Sequence, residues 1–160
     1  MKALLVVDIQ GKFIKGKYAY EEEQFIKTVN HAIDTFREAG KLIVFVHHLD
    51  KNIAPLTPGW EFDERIHIKS DDPKVWKRKG NAFDGTDLRK ILNDHNIDDV
   101  TVCGLVTQNC IRSTCIGCIE EGYKTHLIKY GTTNWTKNPQ KTIDDVEAEL
   151  IELGVTLIEL

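Results

Sequence analysis

Short apolar runs alternate with longer amphipathic stretches along this chain. Residues 1–7 are almost all apolar and stop at Asp8, the pattern of a strand buried on both faces. Over Glu21–Ala39 the spacing changes: Phe25, Val29, Ile33 and Phe36 recur at three or four, predicting one helix with Gly40 as its stop. Leu42–Val46 is a second apolar strand, running into His47, His48 and Asp50. Val75-Trp76-Lys77 predicts a short strand, and Asp84 or Thr86 caps a helix carrying Leu88, Ile91 and Leu92. Asp99–Gly104 predicts a strand, Asn109–Glu121 a helix closed by Gly122, and Lys124–Lys129 a strand with His126 in its middle. Thr142, with Asp145 three residues on, predicts a helix start. Gly154 ends that helix and Val155–Leu160 is a closing strand.

Strands alternating with helices point to an α/β fold in three αβα layers. The expected sheet is six-stranded, mostly parallel and doubly wound (Rossmann-like), with residues 1–160 as a single domain. In such sheets ligands sit beyond the carboxyl ends of the strands. Asp8, His47, Lys77 and the loop before Cys110 all fall there. The Lys51–Asp72 connection, with Pro55, Pro58 and Gly59, is long enough to be a functional loop. Its Glu61, Asp63 and Glu64 read as a solvated acidic face.

Charge narrows the partners. The chain carries 21 basic and 25 acidic residues, net −4, without a long run of either sign. Nothing in that balance suggests wrapping a nucleic acid or lying on an anionic membrane, and a small-molecule ligand, small anions included, is the expected partner. The apolar runs are strand-sized and no signal-type segment follows Met1, so a cytoplasmic location is expected. No GxGxxG, P-loop or HExxH pattern occurs, and no cofactor is expected. Cys115 and Cys118 have C-x2-C spacing but lack a second cysteine cluster, so with Cys103 they read as small buried apolar residues. His47 and His48 point to opposite sides if their strand continues through them. A metal held there, with His67 or Asp50, is the minor reading; no metal is expected.

Cys110 carries the chemistry. A strand that empties through Gly104 into a helix start surrounds one thiol with unpaired amides, which favours its thiolate. An inert core cysteine is the competing reading. Asp8, at the end of an apolar strand, suits proton transfer, or else caps a turn. Lys77 brings positive charge near both, or else belongs to the solvated cluster Lys74, Lys77, Arg78 and Lys79.

Three segments carry a resemblance. Leu4–Gln10 with Phe13, then Lys77–Leu88 with its Asn81-Ala82-Phe83 and Gly85-Thr86, then Gly104–Cys110 continued by Arg112, Thr114, Gly122 and Tyr123, follow in order. Together they resemble the isochorismatase-like cysteine hydrolase family, related to nicotinamidases. The resemblance implies Cys110 as nucleophile, Asp8 as the proton-transfer residue and Lys77 as the third catalytic member, with Lys79 the rival to Lys77. It implies a cis peptide at Leu105-Val106, with the Val106 and Cys110 amides as an oxyanion hole. It also implies a substrate pocket drawn from Phe13, Trp60, Asn81 and Phe83, and assembly as a dimer or larger homo-oligomer. The activity implied is hydrolysis of a small-molecule amide or related C–N bond through a thioester. An ester substrate, and a non-enzymatic metabolite-binding or scaffold protein with the same fold, are the alternatives. Two departures stand out: Tyr130-Gly131 replaces a common Asp-Ala pair, and His47-His48-Leu49-Asp50 reverses the Asp-x-His order of nicotinamidase metal sites.

Overall fold

The computed structural model describes residues 1–160. Its elements in chain order are β1 (Lys2–Val7), α1 (Gly11–Ile14), α2 (Glu22–Glu38), β2 (Leu42–His48), β3 (Lys74–Lys77) and α3 (Leu88–Asp94). β4 (Asp99–Leu105), a wide π turn over Thr107–Ile111, α4 (Arg112–Glu120), β5 (Lys124–Thr133), α5 (Pro139–Glu152) and β6 (Thr156–Ile158) follow. The six strands form one sheet in the order β3-β2-β1-β4-β5-β6. Every neighbouring pair is parallel, so the expected mostly parallel sheet is wholly so.

Period-two alternation along β1 explains the layers. Ala3, Leu5 and Val7 face one side and pack with Leu88 and Leu92 of α3, Cys115 and Cys118 of α4, and Val146 and Leu150 of α5. Leu4 and Val6 face the other side and pack with Phe25, Val29 and Ile33 of α2. A strand buried on both faces has no polar alternation to show, which is why β1 reads as an unbroken apolar run. Cys103, Cys115 and Cys118 are free and buried within these two cores, as expected of them.

Strand order reverses between β1 and β4, so the crevice at their carboxyl ends is the switch point where ligands gather. Gly104 makes the approach of these two strands possible. Its φ is +131°, and a Cβ there would lie 2.1 Å from the Val7 carbonyl oxygen. Only glycine lets β4 press this close to the end of β1.

The structure shifts several predicted boundaries. β2 runs on to His48 because His47 and His48 pair with Trp76 and Lys77 of β3. β5 extends to Thr133 through a break in register, with Val102 opposite Leu127 but Gly104 opposite Thr132. Tyr130, with a φ of +65°, turns the backbone within that bulge. α5 starts at Pro139, not at a Thr142 cap, because proline suits the first helical turn. Thr142 bonds instead to the Asn138 carbonyl at 3.3 Å and the Thr136 hydroxyl at 2.9 Å. No helix is long and apolar enough to cross a membrane.

Candidate active site

Four strand ends deliver the polar groups. Asp8 leaves β1 with a φ of +58°, a left-handed turn that Asp tolerates, while its amide donates to the Val46 carbonyl at 2.9 Å. Lys77 ends β3, two strands away, and β3 sets it beside His48. Its stem spans that distance under the sheet end, and its side chain is wholly buried. The ammonium Nζ lies 2.9 Å from Asp8 Oδ2, 3.2 Å from Cys110 Sγ and 3.1 Å from His48 Nδ1.

An ammonium has three hydrogens, and here each has one acceptor. The count also assigns the His48 tautomer. Nδ1 must accept from Lys77, so the ring proton sits on Nε2, which lies 3.6 Å from Asp50 Oδ2.

Burial dominates the electrostatics. It raises the Asp8 carboxyl above its ordinary value, against the Lys77 ammonium and the hydrogen bond from Cys110. It pushes the Cys110 thiol up to about 12, with the Asp8 charge adding to the rise and Lys77 opposing it. Burial thus favours the thiol, opposite in direction to the expected pull of the surrounding amides toward the thiolate. Asp8 Oδ1 is buried without a hydrogen-bond partner, leaving one carboxylate lone pair beside the thiol uncommitted. Burial and Lys77 lower the His48 pKa, so that ring is neutral.

A cavity of about 200 Å³ opens onto this cluster, walled by Phe13, Val106, Asn109 and Trp135, with His48 and Asp50 on its polar side. The Leu105-Val106 peptide is cis. The Val106 amide makes no backbone hydrogen bond within the chain. Larger clefts elsewhere, such as the one of about 870 Å³ beside Leu56–Glu64, hold no cysteine.

The structure thus brings together Asp8, Lys77, Cys110, Leu105, Val106 and Phe13, but not Trp60, Asn81 or Phe83. Trp60 packs against His47, with ring centroids 5.5 Å apart, and buries its Nε1 there. Asn81 Oδ1 accepts from the Phe83 amide at 3.0 Å, and its side chain sits where a Cβ on Gly117 would be. Phe83 stacks on Tyr123 inside the core. These three leave the expected pocket because each is consumed by packing. Lys79 is exposed, 3.8 Å from Asp84. His47 is buried among Trp60, Phe62 and Trp76, and burial lowers its pKa to about 4. His67 is engaged with Asp34 at 2.9 Å. The sequence reading missed His48's place in the cluster and Trp135 on the rim. Strand alternation could have found the first, since His48 must face away from His47; nothing marked the second.

A model of the Isochorismatase domain matches residues 2–146, most of the chain. The chain belongs to the isochorismatase family. One relative, the nicotinamidase of Escherichia coli, is 35% identical over an alignment covering 99% of this chain and 95% of that protein. The streptothricin hydrolase of Streptomyces noursei is 28% identical over 79% of this chain, but the match spans only 52% of that protein's length. Among solved structures, the pyrazinamidase of Pyrococcus horikoshii in complex with zinc superposes with a TM-score of 0.88 at 26% identity, covering 99% of each chain. The family match includes every segment that builds the pocket, from Asp8 to Trp135.

Asp8, His48 and Cys110 carry ligand-type atoms all within 4.8 Å of one another, the arrangement a cation would need. In this isochorismatase-family chain the Lys77 ammonium already bonds all three residues. A divalent ion among them would sit against that positive charge, so the set does not fit a metal.

Proposed function

We propose that this chain is a cysteine hydrolase that cleaves a small amide, or a related C–N bond, through a thioester on Cys110. One observation carries the reading: a fully buried ammonium bridges a carboxylate and a thiol at the floor of a small cavity. Burying two opposite charges is costly, and a core made only for stability would do as well with apolar residues. The pair makes sense as a proton relay kept neutral overall. The nicotinamidase and pyrazinamidase relatives support an amide as the bond attacked.

The resting state holds the thiol protonated and the Asp8–Lys77 pair charged. As Sγ bonds to the substrate carbonyl carbon, its proton passes to Asp8 and the carbonyl π pair moves onto oxygen. The Val106 and Cys110 amides take up that oxyanion. Collapse re-forms the carbonyl and breaks the C–N bond, with protonated Asp8 giving its proton to the departing nitrogen. Water then attacks the thioester, losing a proton to Asp8. The C–S bond breaks, and Asp8 returns the proton to sulfur. Lys77 stays an ammonium throughout, so the buried charge changes least when Asp8 is neutral and the oxyanion is formed. Zinc is named with the pyrazinamidase relative; the steps above use only Cys110, Asp8, Lys77 and backbone amides.

A panel of small primary amides and esters, scored for ammonia or alcohol release, tests the reading against a Cys110→Ala control. The expected result is turnover of an amide by the native protein alone, with an acyl adduct on Cys110 in intact-mass spectra. No release above the control, with no adduct, would leave the metabolite-binding alternative in its place.

A further inference from the structure

The cavity has a charge that the relay does not use. Asp50 sits on its rim, with Oδ1 accepting from the Asn52 amide at 2.7 Å and the Ile53 amide at 3.0 Å. Those two bonds fix the turn and hold the carboxyl below its ordinary range, with a smaller pull from Lys12 outside the cavity. Its other oxygen, Oδ2, has no cation against it; its nearest partner is the neutral His48 ring at 3.6 Å. Lys77 cannot compensate, since it is buried and its three hydrogens are committed. Lys12 donates to the Asn52 carbonyl and does not line the cavity. With Asp8 and Lys77 cancelling, the space a substrate enters carries one negative charge, between Phe13 and Trp135, that no cation in its lining offsets.

We propose that Asp50 sets the substrate class: a small planar amide whose distal end is a cation or a hydrogen-bond donor, with amides bearing a carboxylate excluded. A carboxylate in this cavity would find no cation and would face Asp50. A cationic or N–H-bearing group gains Oδ2 as acceptor and the aromatic walls beside it. The size limit follows from the volume, about 200 Å³, against roughly 300–1,000 Å³ for pockets that hold drug-sized ligands.

That the substrate is an amide rests on the hydrolase reading above; the charge preference does not, and the test separates them. The cationic trimethylammonioethyl and the anionic sulfonatoethyl methanethiosulfonates each modify a thiol without turnover, and the other three cysteines are buried. Rates at Cys110, each divided by the rate with a free small thiol, give a cation-to-anion ratio in which changes of thiol ionisation cancel. Attraction of one reagent and repulsion of the other each contribute a factor of about three, so the expected ratio is roughly tenfold at low salt. Asp50→Asn keeps an oxygen for the Asn52 and Ile53 amides and brings the ratio to about one. A native ratio near one, or a ratio the variant leaves in place, overturns the proposal. In a second arm, benzamides carrying an aminomethyl or a carboxylate substituent are compared by kcat/KM. Faster turnover of the carboxylate compound also overturns it. A tenfold reagent ratio with no amide turned over would sustain the charge preference and remove the hydrolase reading.

Discussion

Replacing Lys77 with methionine removes a charge while keeping most of the stem's volume, and it isolates what the buried pair contributes. The ammonium and Asp8 Oδ2 are 2.9 Å apart and almost free of solvent. At an effective dielectric of about 20, unit charges at that distance attract by about 6 kcal/mol, and desolvation of both ions offsets most of it. The consequence lies in what is left behind. Lys77→Met strands a carboxylate that already lacks a partner for Oδ1, and leaves burial unopposed by the ammonium in favouring its neutral form. Losing one member of such a pair costs about 3–5 kcal/mol, a large share of the roughly 5–15 kcal/mol that holds a domain together. Asp8→Asn combined with Lys77→Met removes both charges and is expected to recover at least about 2 kcal/mol of that loss. Urea unfolding at pH 7.5, followed by tryptophan fluorescence, on the native protein, both single variants and the double variant gives the coupling directly. Single-variant losses that add to within about 0.5 kcal/mol would show that the two groups do not share one charge balance, and the proton relay would lose its physical basis.

Two further outcomes follow from the same structure. His47 is held near pKa 4, against 6.5 unfolded, so the unfolded chain binds a proton that the folded chain declines. Stability therefore falls as pH drops from about 6.5 to about 4, by about 3 kcal/mol in all, and is fully present above that window. His47→Phe keeps the contacts with Trp60 and Phe62 and is expected to flatten this part of a plot of urea midpoint against pH; an unchanged slope would refute the assignment. Phe83→Ala is expected to cost about 3–5 kcal/mol of stability with KM unchanged, whereas Trp135→Ala, 41% exposed on the rim, changes KM at a cost below about 1 kcal/mol. A raised KM for Phe83→Ala at native stability would return that residue to the pocket.

Apolar runs located the strands because parallel strands covered on both faces cannot hide their hydrophobicity among polar residues. Ends were harder. β2 reaches His48 only because β3 lies alongside to pair with it, and that partner is a long-range fact. β5 passes the expected end at Lys129 and runs through Tyr130-Gly131, because a left-handed φ at Tyr130 absorbs the break and the chain rejoins the sheet at Thr132. α5 starts ahead of the Thr142 signal because the proline that opens it is itself helix-compatible at that position.

For the site, residue type and strand position collected Asp8, His47, Lys77 and Cys110, because the doubly wound sheet brings strand ends together, and the family resemblance singled out Asp8, Lys77 and Cys110 among them. Which aromatic residues would join them depended on parity. His47 shares its face of β2 with Phe45, on the side covered by α2, and Trp60 and Phe62 pack onto that face. His48 falls on the other parity and meets Lys77. A tryptophan that can stack on a substrate can equally stack on a histidine, and composition does not distinguish the two. The thiol is the sharper case. Amides at the start of a helix do favour a thiolate, but Cys110 sits deep enough for desolvation to outweigh them. In the proposed relay the sulfur becomes nucleophilic only as its proton passes to Asp8, so the carboxylate takes the activating role and the ammonium holds the charge constant.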